Sequence, residues 1–401
     1  MLGGEDEGAA CGRYAAPAVQ TLSLPGLSGA KLASSKGELV THQQEVHASP
    51  KFGKDYVFQA ELRRRVEEYF RTSGRRQRDC WQMYVKTAIL VASFAVLYGL
   101  LVFGADTWWQ GLLLATLLGL AAAGIGFNIQ HDGGHQAYSN VPWINKVMAM
   151  TLELIGGSSY LWRWKHAVFH HTYVNITGHD TDIDLGLIGR LSPYQKRLPY
   201  HRWQHYYLWP LYGLLAIKWQ LVDDFQQVIT GRIGTQPFPR LKRWDLAIFV
   251  AGKAMFFTLA FGIPLVFHPV RSVLIYYGVA ALVVGIVLSL VFQAAHCVEE
   301  AAFPQPQGDI ERAWAVHQAE TSVNFARRNP VATWLLGGLN FQIEHHLFPR
   351  ICHTNYPAIS RLVEKTCRDF GVKYAEHTSF WAAMASHFRW LRRMGMPAAI
   401  A

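Results

Sequence analysis

Charge is scarce in this sequence. Only 16% of its 401 residues are Asp, Glu, Lys or Arg, where soluble globular chains carry about 25%, so the length does not encode two or three ordinary water-soluble domains. Cysteine is scarce too: Cys11, Cys80, Cys297, Cys352 and Cys367, with no CxxC spacing, exclude a disulfide scaffold. Disorder throughout is excluded because 51% of the residues are hydrophobic and 13% aromatic. The first 55 residues lack the basic region and apolar core of a signal peptide and show no periodicity, so they are expected to be a disordered leader. Acidic residues are outnumbered 28 to 38, a net charge of +10. That excess suits a nucleic acid or a membrane surface, and its placement decides between them.

What the chain has is long apolar runs. Residues 87–105 and 111–129 form one pair across a short loop, and 246–267 and 272–295 form a second. Each approaches the roughly 20 residues that cross a hydrocarbon core. The two short turns hold one basic residue, Arg271, whereas residues 61–90 hold eight and the stretch between the two pairs holds twelve. The positive-inside rule then places the N-terminus, the middle segment and the C-terminal region in the cytoplasm, and no nucleic-acid partner is needed to explain the charge. The expected architecture is an all-α, multi-pass integral membrane protein: four transmembrane helices in two hairpins, interfacial helices, and a cytoplasmic helical cap. Around the spans, residues 56–86 read as a basic pre-membrane segment, 87–375 as the membrane domain and 376–401 as a C-terminal tail. Tyr206–Val222, interrupted by Pro210 and Lys218, reads as interfacial rather than spanning, as does Trp143–Leu161. Lys253, two turns inside the third span, is expected to snorkel to the surface.

Histidine is plentiful, with 18 residues, and its placement is ordered. His131 and His135 (HDGGH) follow the second span; His166, His170 and His171 (HAVFHH) lie in the middle segment; His296 ends the fourth span; His345 and His346 (QIEHH) come later. On this topology all eight reach one face of the bilayer. Residues four apart share a helix face, with Cβ atoms about 5–6 Å apart, so the first two imidazoles of HxxxH or HxxxHH are expected to close on one ion. The third of HxxxHH points about 100° round, towards a neighbouring ion. Neutral imidazole suits Fe, Zn and Cu alike. The same spacing in His201 and His205 (HRWQH) reads as an interfacial anchor, and His268 sits at the opposite end of the third span. His42, His47, His377 and His387 have no motif context, while His179, His317 and His353 are read as surface, core or supporting residues.

HDGGH, HAVFHH and QIEHHLFP, in this order across residues 60–375, resemble the three histidine boxes of membrane fatty-acid desaturases, and HDTDID at 179–184 also fits. Gln342, where other members place His, resembles the front-end subgroup, which adds a double bond between an existing one and the carboxyl end. The resemblance implies a non-haem pair of iron ions held by His131, His135, His166, His170, His171, His296, His345 and His346. Gln342 would be a weak or water-mediated ligand, and Asp132, Asp180, Asp182 and Asp184 would accept imidazole N–H groups. It further implies O2 as co-substrate and a fatty acyl substrate carried on CoA or on a membrane lipid. The HPGG mark of a fused haem domain is not found, the only His-Pro pair being His268–Pro269. Electrons from NAD(P)H are therefore expected through a separate ferredoxin, or cytochrome b5 with its reductase, for which Arg240, Lys242 and Arg243 are candidate contacts. Trp162, Trp164 and Trp334 are candidates for lining an acyl tunnel.

Two other readings stay open on sequence: a sphingoid-base desaturase or lipid hydroxylase on the same scaffold, and a metal transporter. Transporters place ionisable ligands near mid-bilayer, whereas these clusters lie at or beyond the ends of the spans. A bacterial inner membrane and the endoplasmic reticulum both fit.

Overall fold

The computed structural model describes residues 50–397; the leader up to residue 49, with His42, His47 and Cys11, lies outside them. Helix α1 (Val57–Ser73) forms because Phe58, Leu62, Val66 and Phe70 recur at four-residue spacing and all four are buried. Gly74 ends it in a left-handed conformation (φ 65°) that a side chain would strain. The arginines on its other face are held by Glu61, Glu68 and Asp369.

Among the described residues, four helices are long and apolar enough to cross a membrane: α2 (Trp81–Phe103), α3 (Trp108–Gly134), then, after α4 (residues 159–173) and α5 (residues 204–230), α6 (Arg243–Phe267) and α7 (Val270–His296). Half of the apolar window of α3 is buried, against 17% for α2, 22% for α6 and 28% for α7, so α3 is the centre of the bundle. The outer faces carry exposed Val96, Phe103, Trp108, Leu113, Val250, Val266 and Leu274, an apolar surface that only lipid covers without cost. Close approach of α3 to α7 depends on Gly119, where a Cβ would sit 2.6 Å from the Ala280 carbonyl oxygen. The two short connections lie together, with the Phe103 and Phe267 rings 4.9 Å apart and His268 Nε2 2.8 Å from the Val102 carbonyl. Between the spans lies an apolar cavity of about 120 Å³, bordered by Phe94, Tyr98, Phe256, Pro264, Tyr276 and Tyr277.

Beyond the spans, α8 (Trp314–Glu320), α9 (Gln342–Leu347), α10 (Tyr356–Asp369) and α11 (Phe380–Gly395) complete the helices used below. Among the described residues, six short strands, β1 (Phe52–Gly53), β2 (Arg232–Ile233), β3 (Gln236–Pro237), β4 (Ile310–Ala313), β5 (Val323–Phe325) and β6 (Ala375–His377), make three two-stranded ladders, β1–β4 and β5–β6 parallel and β2–β3 antiparallel. The protein is thus mostly helical, with minor sheet.

Several sequence expectations need correction. The first span begins at Trp81, not residue 87, because Lys86 lies inside the helix with its charge hidden, 3.1 Å from His353 Nε2 and over the Trp334 ring. Residues 57–73 fold as a helix, and residues 52–53, expected in the leader, pair with β4. The described residues 376–397 form no simple tail: α11 buries Met384, Trp390, Leu391 and Met394 and packs along α7 and α5. Lys253 does not snorkel; its Nζ donates to the carbonyls of Gly156 (2.8 Å) and Gln220 (3.1 Å) and to Asp224 Oδ2 (2.8 Å).

Candidate metal centre

The two longest motif helices change pitch where the histidines begin. A π turn at Gly126–Gln130 carries α3 into HDGG, and another spans Arg163–His170. Such turns are rare and concentrate at functional sites. Gly134 lets this end of α3 seat against Trp162, whose ring a Cβ would meet at 2.2 Å. Trp162 in turn borders the rings of His131, His135 and His166 at 5.7, 5.2 and 4.8 Å. Trp164 packs on Phe169 instead, and Trp334 lies under Lys86, so only Trp162 of the three tryptophans reaches the histidines.

All eight histidines converge. Seven are buried, from His170 and His346 at 0% exposure to His135 at 7%, and the His166 side chain is 16% exposed. Their donor nitrogens fall into groups within 4.8 Å: His131, His135, His166 and His345 in one, His170, His296 and His346 in a second, and His171 with His345 and His346 between them. His166 and His170, expected to share an ion, do come together within 4.8 Å in a further group with Asp182, while their other imidazole neighbours differ. They stack, 5.1 Å apart at 21°, so their edges point side by side and meet different neighbours. His131 and His135 are crossed at 64° and fall in one group.

Oxygen acceptors on the outer edges orient five rings. Nδ1 of His170 donates to Asp180 (3.1 Å), that of His166 to Asp182 (3.4 Å), that of His346 to Gln318 Oε1 (2.9 Å), that of His296 to the Thr321 carbonyl (3.3 Å), and that of His345 to the Tyr356 hydroxyl oxygen (3.3 Å). An acceptor at Nδ1 keeps the proton there and leaves Nε2 as a lone pair. Those lone pairs have nowhere else to go: Nε2 of His131, His135, His166, His170 and His345 is buried without a hydrogen-bond partner, as are both nitrogens of His171. His296 and His346 bring Nε2 to within 3.2 Å of one another. Inward-facing lone pairs repel unless a cation sits among them, so this donor set fits bound metal.

Burial and crowding favour the neutral form, the one a ligand needs, at most of the rings. Desolvation, then neighbouring imidazoles, pushes His135, His171, His345 and His346 well below the ordinary histidine range, and His166 falls to about 3. His170 moves the other way: burial alone would lower it, but Asp180 and Asp182 more than offset this.

Gln342 is buried beside His296. Asp184 does not belong with the other aspartates; it is exposed and caps Gly186 N–H at 2.8 Å. Asp132 accepts from the Nδ1 (3.0 Å) and backbone N–H (3.1 Å) of His353, and its carboxylate lies 4.0 Å from His131 Nδ1, too far for a hydrogen bond. His201 and His205 stay outside the cluster, His201 on the Leu187 carbonyl and His205 against Phe388. Sequence reasoning did not find Gln318, Tyr356 or Glu344. The last is buried and bonded to Asn324 (2.8 Å) and Tyr374 (2.7 Å), with burial raising it to about 6. Only Glu344, inside QIEHH, carried a local signal.

Comparison with known proteins agrees with this geometry. A family model described as fatty acid desaturase matches residues 106–378. The sn-1 linoleoyl-lipid 6-desaturase of Arthrospira platensis is 38% identical over 86% of this chain and 94% of its own. The enzyme of the same name from Synechocystis sp. is 38% identical over 86% and 97%. The acyl-lipid (8-3)-desaturase of Physcomitrium patens is 36% identical over 84% and 71%. With its spans, its converging histidines and these relatives, the chain belongs to the fatty acid desaturase family and is a multi-pass membrane oxidoreductase.

Proposed function

We propose that the chain is a front-end acyl-lipid desaturase working through a pair of iron ions at the cytoplasmic face of its membrane. The observation that carries this reading is the convergence of eight buried or half-buried imidazoles in groups linked through His345 and His346. The relatives are named for acyl-lipid substrates, and Gln342 heads the third motif as in the front-end subgroup. The excess of Lys and Arg on the histidine-bearing segments supports the cytoplasmic side.

The overall reaction joins one CH2–CH2 unit, O2, two electrons and two protons to give one cis CH=CH unit and two waters. An iron pair supplies the O2-dependent oxidising power that no side chain has against an unactivated C–H bond. The residues of this chain do the rest. His131, His135, His166 and His345 would hold one ion, and His170, His296 and His346 the other, with His171 between. Asp180, Asp182, Gln318, Tyr356 and Thr321 keep Nδ1 protonated and the rings aimed. Trp162 and the ends of α3 and α7 exclude bulk water, and Gln342 is placed to hydrogen-bond a bound water beside His296.

The test is expression in a host fed defined polyunsaturated acids, with new double bonds located by mass spectrometry and iron counted per chain. A new double bond on the carboxyl side of an existing one, with close to two irons, is expected. Hydroxylated products alone would assign the scaffold to a lipid hydroxylase and overturn the reading.

A further inference from the structure

The arginines of this protein divide into two kinds. Those of α1 are spent: Arg64, Arg65 and Arg71 are matched by Glu61, Glu68 and Asp369. Just beyond α1 the pattern changes. Arg75, Arg76, Arg78 and Arg350 gather where the chain enters α2 and leaves QIEHHLFP, Arg78 Nε donating to the Arg350 carbonyl at 3.0 Å. None of the four has an ion-pair partner among the described residues. Arg75, Arg76 and Arg350 are exposed. The nearby Asp79, whose carboxylate accepts from Tyr84, Ser139 and the Asn140 N–H, makes no ion pair with any of the four and offsets only one of their charges. Uncompensated guanidinium charge of this density costs stability through self-repulsion.

Two of the four border an opening. A cleft of about 380 Å³ is lined by Arg75, Arg76, Asp79, Cys80, Trp81, Gln82, Thr354 and Asn355, with Trp81 68% exposed at its rim and Arg78 and Arg350 beside it. Its wall leads straight to the histidine cage. Thr354 is covalently next to buried His353; His353 Nδ1 donates to Asp132 at 3.0 Å; and Asp132 is covalently next to His131.

We propose that this cleft is the docking surface for an acidic one-electron carrier protein, and that Thr354–His353–Asp132–His131 is a bonded route from it to the metal pair. The proposal rests on the reading above, in which electrons arrive from a separate carrier. Each docking event passes one electron, oxidising the carrier and reducing the metal pair; two events serve each double bond. An acidic face meets the four arginines, which steers encounter and fixes orientation. Trp81 supplies the aromatic anchor that interface centres favour. Arg240, Lys242 and Arg243, singled out on sequence, are not part of this cleft.

Binding tests it directly. The iron-loaded protein in phosphatidylcholine nanodiscs is titrated with a plant-type [2Fe–2S] ferredoxin and, separately, with the soluble domain of cytochrome b5, at 50 and 200 mM salt. At least one carrier is expected to bind, more weakly at the higher salt. R75E/R76E is expected to raise Kd at least tenfold and flatten the salt dependence, while the charge-matched R392E/R393E on α11 changes Kd less than twofold. Equal losses from both pairs, no loss from R75E/R76E, or no binding of either carrier by the wild type each overturns it. So does loss of carrier binding on adding phosphatidylglycerol to wild-type nanodiscs without loss for R392E/R393E discs lacking it, which would assign the patch to lipid headgroups. Product formation from fed acids is scored separately. Product with carrier binding blind to R75E/R76E sinks the docking surface alone, whereas absence of product sinks the desaturase reading.

Discussion

Asp180 is where sequence and structure make the sharpest quantitative demand. Both of its carboxylate oxygens lie 3.1 Å from His170 Nδ1, and they also accept the backbone N–H groups of Asn175 and Asp182 at 2.9 Å. The carboxylate is 1% exposed, so water does not replace it. Asp180→Asn keeps the shape and removes the charge that holds His170 in its ligand tautomer. Loss of such an outer partner costs about 10–100-fold in metal affinity, or roughly 1.4–2.8 kcal/mol. Asp180→Ala adds two stranded buried N–H groups, each costing about 1–3 kcal/mol, and should also lower Tm. The assay is iron retained per chain after graded chelator dialysis, read beside a thermal melt. Asp184→Asn is the control, because that side chain is exposed and touches no histidine; its iron retention should match wild type. Equal chelator resistance in Asp180→Asn and wild type would refute the claim that the carboxylate secures His170.

His170→Ala should abolish product, whereas His268→Ala, at the far end of the bundle on the Val102 carbonyl, should retain it; equal losses would undo the separation of the two. Lys253→Met leaves the Asp224 carboxylate buried without its cation, and loss of one partner of such a pair costs about 3–5 kcal/mol; a Tm within a degree of wild type would count against the buried pair. The metal-free protein should lose stability in acid. His166 and His317 have folded values of about 3, below the unfolded 6.5, so the unfolded chain takes up protons first and stability falls as pH drops below 6.5. At pH 5 this amounts to about 2 kcal/mol for each, readable as a melting transition that moves down between pH 7.5 and pH 5. A flat profile would contradict the buried neutral rings.

Much of the architecture was legible because hydrophobic runs and histidine spacings are local patterns. The four spans, the eight rings and their common end of the bundle all follow from them. What escaped depends on contacts between distant segments. HxxxH spacing brings two rings onto one face, but the acceptors that orient them, Asp182 for His166 and Asp180 for His170, lie 16 and 10 residues further along the chain. Asp184 looked equivalent to its neighbours until the backbone turned it outward. Lys86 shortened the first span on sequence because its partners, His353 and Trp334, are more than two hundred residues away. Residues 376–401 looked like a tail because α11 is short and amphipathic, and its buried face finds a partner only when α5 and α7 are in place.

The burial of the rings also bears on how the chain holds together. His170, His296 and His346 come from α4, α7 and α9 and are at most 1% exposed. An ion held among them would join three segments that the ribosome delivers far apart, and stripping it would loosen all three at once.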